Sequence, residues 1–297
     1  MSSRPDVVQA IAHLQAMLPE TNSPEALVAA LRALFERYGD VAPRPPPEGM
    51  RVEPVDAGGV AAEWIIPADA AKDLRIVHFH GGGLAAGSRT SHRPMLAALA
   101  QHAGAPALSV DYRLGPEHVF PAAHEDCVRA FAWAAHGAKS IVASGDSIGC
   151  ALAAAVCAEA LATGGRAPDK LALLSPTLEC VAYPERPDRD SDPLLNNAGM
   201  GMLGFHAREA EFQDPRMSPL RMADEALARF PPTLLQAGST EFLLPDAERF
   251  FERLTRAHRR ATLSIWPDMP HVWHHFLNHL PEADAALREA AAFIRAD

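Results

Sequence analysis

One serine of this chain lies between two glycines, at the junction of an extended segment and a helical one. The sequence Gly-Asp-Ser-Ile-Gly occupies residues 145–149, after the apolar run 140–144 and before the alanine-rich stretch 151–162. Glycines on both sides of the serine permit a sharp turn whose backbone packs too closely for a Cβ. A base and backbone N–H groups can reach a hydroxyl on such a turn, so Ser147 is a candidate nucleophile.

A second glycine cluster follows an earlier apolar run. Residues 80–83 read His-Gly-Gly-Gly, directly after the run 75–79. The cluster lacks the Gly-x-Gly-x-x-Gly spacing of a dinucleotide-binding loop, and no acidic residue follows at the expected strand end. Glycine N–H groups approach a substrate oxygen without side-chain obstruction, so we expect this loop to form an oxyanion hole together with the N–H of Ile148.

The chain from residue 52 alternates between extended and helical segments. This alternation predicts a mostly parallel sheet between helices, an α/β fold. At 297 residues the chain fits a single domain spanning 1–297. Helical periodicity over 6–38, the proline-rich linker 43–47 and the irregular segment 181–228 predict a helical cap formed by 1–44 and 181–228. The predicted strands are 62–66, 75–79, 107–110, 140–143, 171–174, 233–236 and 262–265.

Several motifs, in this order, resemble those of the hormone-sensitive-lipase family of α/β-hydrolases, whose bacterial branch consists mainly of carboxylesterases. They are His-Gly-Gly-Gly at 80–83, Asp-Tyr-Arg-Leu-Gly-Pro-Glu at 111–117, Phe-Pro-Ala-Ala at 120–123 with Asp126, Gly-Asp-Ser-Ile-Gly at 145–149, Asp-Pro-Arg-Met-Ser-Pro-Leu at 214–220 and Pro-Pro-Thr at 231–233. The resemblance implies the α/β-hydrolase fold and assigns the oxyanion N–H groups to Gly82 and Gly83. Leu84, Ile148 and Cys150 depart from the family pattern, which predicts an altered pocket.

The base of a serine triad is expected after the nucleophile, in the chain order serine, acid, histidine. His271 lies in a loop after the apolar run 261–265. Loops at the carboxyl ends of parallel strands carry the chemistry of such folds. The family's catalytic histidine occupies a similar position before a helix, so His271 is the predicted base.

Two carboxylates compete for the role of the acid. Glu241 and Asp246 both follow the apolar run 233–237. Asp246 has a sufficient structural role in the first turn of a helix predicted over 247–257, where a negative charge favours the helix dipole. Glu241 matches the family pattern for the acid, so the predicted triad is completed by Glu241.

The histidines near the end of the chain also fit one metal-binding pattern. His271 and His275 have the four-residue spacing of a zinc-binding pair, but no glutamate follows the first histidine as in His-Glu-x-x-His. His275 and His279 are expected to cover a helix face. The four cysteines lack zinc-like spacing and are expected to be reduced thiols. The sequence therefore predicts no metal and no cofactor.

Composition limits the partners of the chain. The net charge of −10 argues against nucleic-acid binding, because a phosphate-binding surface needs a basic stripe. No apolar segment approaches the ~20 residues of a membrane span. The first six residues lack the architecture of a signal peptide, so a cytoplasmic location is expected. A homodimer is compatible with the sequence, which does not fix the oligomeric state.

Together these residues predict a serine carboxylesterase that hydrolyses short- to medium-chain carboxylic esters through an acyl-enzyme. A lactonase or an amidase uses the same machinery and remains an alternative. A small-molecule receptor that has lost a triad member is a second alternative, and the presence of His271 argues against it. The sequence names neither the natural ester nor its chirality.

Overall fold

A computed structural model of the chain describes residues 12, 23–36, 47–71, 73–181, 192–195 and 200–296. Within them, eight strands form one sheet in the order β1-β2-β4-β3-β5-β6-β7-β8. Strand β2 is antiparallel to both of its neighbours, and all other pairs are parallel. The strands are β1 (Arg51–Asp56), β2 (Ala61–Ile66), β3 (Leu74–Phe79), β4 (Ala107–Val110), β5 (Ser140–Asp146), β6 (Lys170–Leu174), β7 (Thr233–Gly238) and β8 (Ala261–Trp266).

Helices cover both faces of this sheet. In the part of the chain that the structure describes, the α-helices are α1 (Pro24–Glu36), α2 (Arg93–Ala103), α3 (Ala122–Ala135), α4 (Ile148–Thr163), α5 (Asp224–Leu227), α6 (Leu244–Arg256) and α7 (Pro281–Arg295). Helices α3, α4 and α6 contribute to one buried apolar cluster with Val77 and Phe79. Helices α2 and α7 contribute to a second cluster with Ile76, which lies on the other face of β3. The sheet therefore separates two cores, as the predicted α/β-hydrolase fold requires.

Burial explains why the central strands were predicted, although β8, an edge strand without a fully buried residue, was predicted as well. All four residues of β4 are buried, and β5 is buried except at its first residue. Parallel strands covered on both faces have continuous apolar sequences, which are easy to recognise. Strand β1 lies at the sheet edge, has no fully buried residue and contains Pro54. It was not predicted, because an exposed edge strand needs no apolar pattern and tolerates proline.

The structure describes only parts of the predicted cap. Helix α1 represents the N-terminal part, and short 3₁₀ helices at Gly201–Phe205, Glu209–Gln213 and Pro219–Arg221 lie within the segment 181–228. Residues 1–11, 13–22, 37–46, 182–191 and 196–199 lie outside the described residues. The boundaries of the cap therefore remain a prediction.

One side chain ties α1 to the loop that follows β3. Arg32 Nε donates to the backbone oxygen of Ala85 at 2.8 Å. The same guanidinium donates twice to the carboxylate of Glu117, at 2.8 and 2.7 Å, and once to the backbone oxygen of Gly115. Helix α1 is thus fixed directly beside the His-Gly-Gly-Gly segment.

A cavity of about 960 Å³ lies at the end of the sheet where β3 and β4 begin. Its lining includes Trp64, Arg75, Pro106 and Trp133. Arg75 lies near the start of β3 and Pro106 precedes β4, whereas Ser147 follows the end of β5. The cavity is therefore separate from the predicted catalytic residues. Among the described helices, none has the length and apolar character needed to cross a membrane.

Candidate active site

Ser147 forms a sharp turn between β5 and α4. Its backbone has φ 52° and ψ −124°, a region that non-glycine residues rarely adopt. A Cβ on Gly145 would lie 2.3 Å from the backbone oxygen of Gly149, and a Cβ on Gly149 would lie 1.9 Å from the backbone oxygen of Phe79. Both flanking glycines are therefore required by close backbone packing, which is the physical basis of the Gly-x-Ser-x-Gly pattern.

The serine hydroxyl lies within hydrogen-bond distance of one imidazole. His271 Nε2 is 2.9 Å from Ser147 Oγ. The histidine lies in the loop after β8, and its backbone N–H donates to Asp192 Oδ1 at 3.3 Å. The structure thus brings the predicted nucleophile and the predicted base together, although 124 residues separate them in the chain.

The other imidazole nitrogen faces Glu241. His271 Nδ1 is 3.2 Å from Glu241 Oε2, and the glutamate is fully buried. Glu241 Oε1 accepts two hydrogen bonds, from the Gly238 N–H at 2.6 Å and from the Ser175 hydroxyl at 2.7 Å. These donors fix the orientation of the carboxylate, so Oε2 is the oxygen available to the imidazole.

Ser175 is a residue that the sequence reasoning missed. It follows β6 with φ 49°, and its Oγ both donates to Glu241 and accepts the N–H of Val272 at 3.0 Å. It therefore joins the acid to the loop that carries His271. Its place at the end of a predicted strand was a usable signal, because such ends lie along the same sheet edge as Ser147.

The pKa values of His271 and Glu241 depend on burial and on the contact between the two side chains. Burial lowers the pKa of His271, but the hydrogen bond and the negative charge of Glu241 outweigh it, so the pKa is raised above 6.5. The charges of Asp192 and Asp146 act in the same direction. Burial raises the pKa of Glu241 above its usual value, although the contact with His271 opposes this shift. The site favours an imidazole that binds a proton readily.

Asp246, the competing carboxylate, lies in a different network. It is fully buried in the first turn of α6. Its Oδ2 accepts the backbone N–H groups of Leu178 and Glu179, both at 2.9 Å. The predicted position near the start of a helix is correct, and the carboxylate also orders the chain after β6. This second role could not be derived from its position in the sequence.

The loop after β3 presents glycines in the left-handed region. Gly82 has φ 114° and Gly83 has φ 61°. A Cβ on Gly82 would lie 2.2 Å from the backbone oxygen of Ala86. Ile148 is the first residue of α4, where a backbone N–H has no partner within the helix. These three residues stay the predicted oxyanion donors.

Side chains around this loop hold it in place. Asp146 Oδ1 accepts the Gly81 N–H at 3.0 Å, and the Tyr112 hydroxyl donates to the backbone oxygen of His80 at 2.6 Å. Arg113 and Asp126 form a two-point ion pair, with Nε–Oδ2 and Nη2–Oδ1 distances of 2.9 Å. Asp146 and Tyr112 therefore bind the loop itself, whereas Arg113 and Asp126 join the segment after β4 to α3.

Asp146 is also surrounded by imidazoles. Its Oδ1 lies 3.1 Å from His78 Nε2, and its Oδ2 lies 3.3 Å from His92 Nε2 and 3.8 Å from His275 Nε2. Burial raises the pKa of Asp146, but the surrounding imidazoles outweigh it and the pKa falls well below 3.8. The two histidines with the four-residue spacing of a zinc-binding pair lie apart in function, because His271 contacts Glu241 whereas His275 lies against Asp146.

The departures from the family pattern are all buried. Leu84, Ile148 and Cys150 are at most 2 % exposed and belong to the larger apolar cluster. The Cys150 thiol donates to the backbone oxygen of Gly145 at 3.0 Å, and burial raises its pKa well above the usual value. Cys150 is therefore no second nucleophile. All four cysteines are buried thiols.

The sequence and the fold have clear relatives. A family model described as "alpha/beta hydrolase fold" matches residues 76–275. An acetyl-hydrolase of Streptomyces hygroscopicus is 34 % identical over 247 residues, which cover 81 % of each chain. An esterase of Acinetobacter venetianus is 32 % identical over 89 % of this chain and 88 % of its own. A crystal structure of an esterase from the bacterial hormone-sensitive lipase family superposes with a TM-score of 0.89, at 34 % identity and 99 % coverage of both chains.

The fold and the order of the site residues define an α/β-hydrolase. Within that class, the chain belongs to the hormone-sensitive-lipase family, as its motifs suggested.

Proposed function

We propose that the protein is a serine carboxylesterase with Ser147, His271 and Glu241 as its catalytic triad. The observation that carries the proposal is the continuous contact from Ser147 Oγ to His271 Nε2 at 2.9 Å and from His271 Nδ1 to Glu241 Oε2 at 3.2 Å. This arrangement lets the imidazole take the serine proton while the carboxylate stabilises the positive charge that develops.

The reaction then follows in two halves. Ser147 Oγ attacks the ester carbonyl carbon as its proton passes to His271 Nε2, and the carbonyl oxygen becomes an oxyanion. The backbone N–H groups of Gly82, Gly83 and Ile148 donate to that oxyanion. His271 returns the proton to the departing alcohol, which leaves an acyl-enzyme. Water attacks the acyl-enzyme with His271 as the base, and the acid is released.

The substrate class in this proposal is small esters with short to medium acyl chains. The similarity to an acetyl-hydrolase and an esterase supports this class. The position of α1, fixed by Arg32 to the loop after β3, supports a covered site that limits the length of the acyl group. The cap formed by 1–44 and 181–228 is part of this proposal.

A series of p-nitrophenyl esters from acetate to palmitate tests the proposal. We expect turnover of acetate to octanoate, lower turnover of longer esters, and loss of turnover by several orders of magnitude in Ser147→Ala. Ser140→Ala, at the opposite end of the same strand, is the matched control. Equal turnover of Ser147→Ala and the wild type would refute the triad. Preference for a p-nitroanilide or a lactone would favour the amidase or lactonase alternative. Ligand binding without any turnover would favour the receptor alternative.

A homodimer in the cytoplasm also remains a proposal. Strand β8 forms one edge of the sheet, and Ile265 on it is 43 % exposed. The unpaired N–H and C=O groups of an edge strand are a template for pairing with another chain. Light scattering coupled to size-exclusion chromatography would measure the mass directly, and Ile265→Lys should reduce it if β8 is the interface.

A further inference from the structure

Behind the nucleophile, three segments of the chain bring possible metal ligands together. His92 immediately precedes α2, Asp146 ends β5, and His275 lies in the 3₁₀ turn Trp273–His275. The side chains of His92 and Asp146 are 1 % and 2 % exposed, and that of His275 is 9 % exposed. None of the three takes part in the proposed proton transfer. Their possible ligand atoms all lie within 4.8 Å of one another.

The donor atoms lie near the dimensions of a tetrahedral zinc site. His92 Nε2 is 3.3 Å from Asp146 Oδ2, His275 Nε2 is 3.8 Å from the same oxygen, and the three atoms lie within 4.8 Å of one another. With metal–ligand distances of about 2.0–2.1 Å, two ligands of a tetrahedral ion lie about 3.3–3.4 Å apart. The first distance fits, whereas His275 Nε2 would have to approach Asp146 Oδ2 by about half an ångström and also lie close to His92 Nε2.

The contacts of His92 are compatible with the tautomer that metal binding through Nε2 requires. The Ser91 hydroxyl oxygen lies 2.8 Å from His92 Nδ1 and 3.0 Å from the backbone oxygen of Ser88. A hydroxyl that donates to Ser88 leaves its oxygen to accept from Nδ1–H. In that tautomer Nε2 has a lone pair 3.3 Å from Asp146 Oδ2, and among the described residues this buried nitrogen has no hydrogen-bond partner. A cation between these two acceptors would then satisfy both.

The carboxylate is held independently of the proposed ion. Asp146 Oδ1 accepts from the Gly81 N–H at 3.0 Å and from His78 Nε2 at 3.1 Å. Oδ2 is therefore left for a metal, while Oδ1 anchors the group. Hydrogen bonds of this kind orient the ligands in established metal sites, where the partner of a ligating histidine also fixes its tautomer.

We propose that His92 Nε2, Asp146 Oδ2 and His275 Nε2 bind one divalent transition-metal ion, with Zn²⁺ as the ion best matched to two imidazoles and one carboxylate. A water molecule completes the four-coordinate shell. The ion would join α2, the turn of Ser147 and the loop of His271. Its function is structural, because it would hold the carboxylate that in turn holds the Gly81 N–H of the predicted oxyanion loop.

The experiment uses full-length, tag-free protein that has been treated with a chelator and then dialysed free of metal. Titration with Zn²⁺ against a chromophoric chelator should give one bound equivalent per chain. Titration with Co²⁺ should give the intense visible bands of a tetrahedral site. Saturating Zn²⁺ should raise the melting temperature, because an ion that binds the folded state alone stabilises it. None of these measurements depends on catalysis.

Variants locate the ion. We expect His275→Ala to weaken Zn²⁺ binding at least about 100-fold, whereas His279→Ala, an exposed histidine four residues on, should bind as the wild type does. His271→Ala should also keep one equivalent, which separates this site from zinc binding at the triad. Should His275→Ala fail to fold, judged by circular dichroism, His92→Gln provides the same test.

Three results would overturn the proposal. One is the absence of saturable Zn²⁺ and Co²⁺ binding, which would show that protons alone join the imidazoles to Asp146. Another is equal affinity in His275→Ala, His92→Gln and the wild type. The third is loss of the bound equivalent in His271→Ala with full retention in His275→Ala, which would place the ion at the triad.

Discussion

Glu241 and Asp246 lie five residues apart and are both fully buried, yet their carboxylates bind different parts of the molecule. Glu241 Oε2 faces His271 Nδ1 at 3.2 Å, whereas Asp246 Oδ2 accepts the backbone N–H groups of Leu178 and Glu179. One carboxylate is therefore placed to act on the imidazole, and the other orders the chain after β6. Glu241→Gln should therefore lower turnover with little loss of stability, whereas Asp246→Asn should lower stability with little loss of turnover.

Glu241→Gln should reduce kcat by about 10²- to 10⁴-fold with a small change in melting temperature. The Gly238 N–H and the Ser175 hydroxyl both donate to Oε1, so the amide oxygen must occupy that position. The amide NH₂ then faces His271 Nδ1 and imposes the wrong tautomer. Steady-state kinetics with p-nitrophenyl butyrate, next to thermal unfolding of the same sample, measures both effects. Turnover close to that of the wild type would contradict Glu241 as the acid.

Asp246→Asn should lower the free energy of unfolding by about 1–3 kcal/mol and leave kcat within a few-fold. The reason is that two buried backbone N–H groups lose a charged acceptor and keep a neutral one. The helix dipole alone, the role inferred from sequence, would account for no more than about 1 kcal/mol at an exposed site. Urea unfolding measures the loss. A variant with wild-type stability and no turnover would require a new triad containing Asp246.

The pH dependence of kcat/KM should rise along one limb whose midpoint lies above pH 6.5. Below the pKa of His271 the ring is an imidazolium and cannot accept the serine proton, so activity is lost as the pH falls. The pKa is raised because the contact with Glu241 outweighs the effect of burial. A flat profile from pH 5 to 8, under conditions where chemistry limits the rate, would exclude a histidine base.

Asp192→Asn should move that same limb to lower pH. Asp192 accepts the His271 N–H at 3.3 Å, and its negative charge contributes to the raised pKa of the imidazole. The amide removes the charge and keeps one acceptor oxygen, so either the His271 N–H or the Phe242 N–H, which Oδ2 accepts at 3.0 Å, then faces an NH₂ group. A shift of the midpoint with modest change in the plateau is expected. A loss of activity at every pH without such a shift would show that Asp192 acts only through structure.

Arg32→Ala should release α1 and broaden the acyl-chain preference. The guanidinium binds the backbone oxygens of Ala85 and Gly115 and the carboxylate of Glu117. Arg208→Ala is the matched control, since its guanidinium is exposed and pairs only locally with Glu211 among the described contacts. The ratio of decanoate to butyrate hydrolysis should rise in the first variant and stay constant in the second. An unchanged ratio in both would show that α1 does not limit chain length.

The parallel strands could be predicted from the sequence, as could the glycine-flanked turn at the end of β5, and the reason is physical. Buried parallel strands such as β5 need continuous apolar runs, and close backbone packing at Ser147 needs glycine at fixed positions. Both constraints are local, so they can be recognised without the structure. For the same reason Ser147 and His271 could be proposed as nucleophile and base from their places after strands.

Other parts of the site depend on contacts between distant segments. Ser175 reaches Glu241 across 66 residues, and Asp146 contacts His92, 54 positions before it, and His275, 129 positions after it. His271 and His275 have the local spacing of a metal-binding pair, whereas the fold directs these two imidazoles to different carboxylates. No spacing along the chain contains that information, because the sheet order determines which loops meet.

The backbone of Ser147 has a further consequence for how this protein could change over time. At φ 52° and ψ −124°, any residue with a Cβ costs of order 1–3 kcal/mol, and glycine relieves that cost. Ser147→Gly should therefore be inactive but more stable than the equally inactive Ser147→Ala. Under the proposed function, a lineage no longer selected for turnover would gain stability through that replacement.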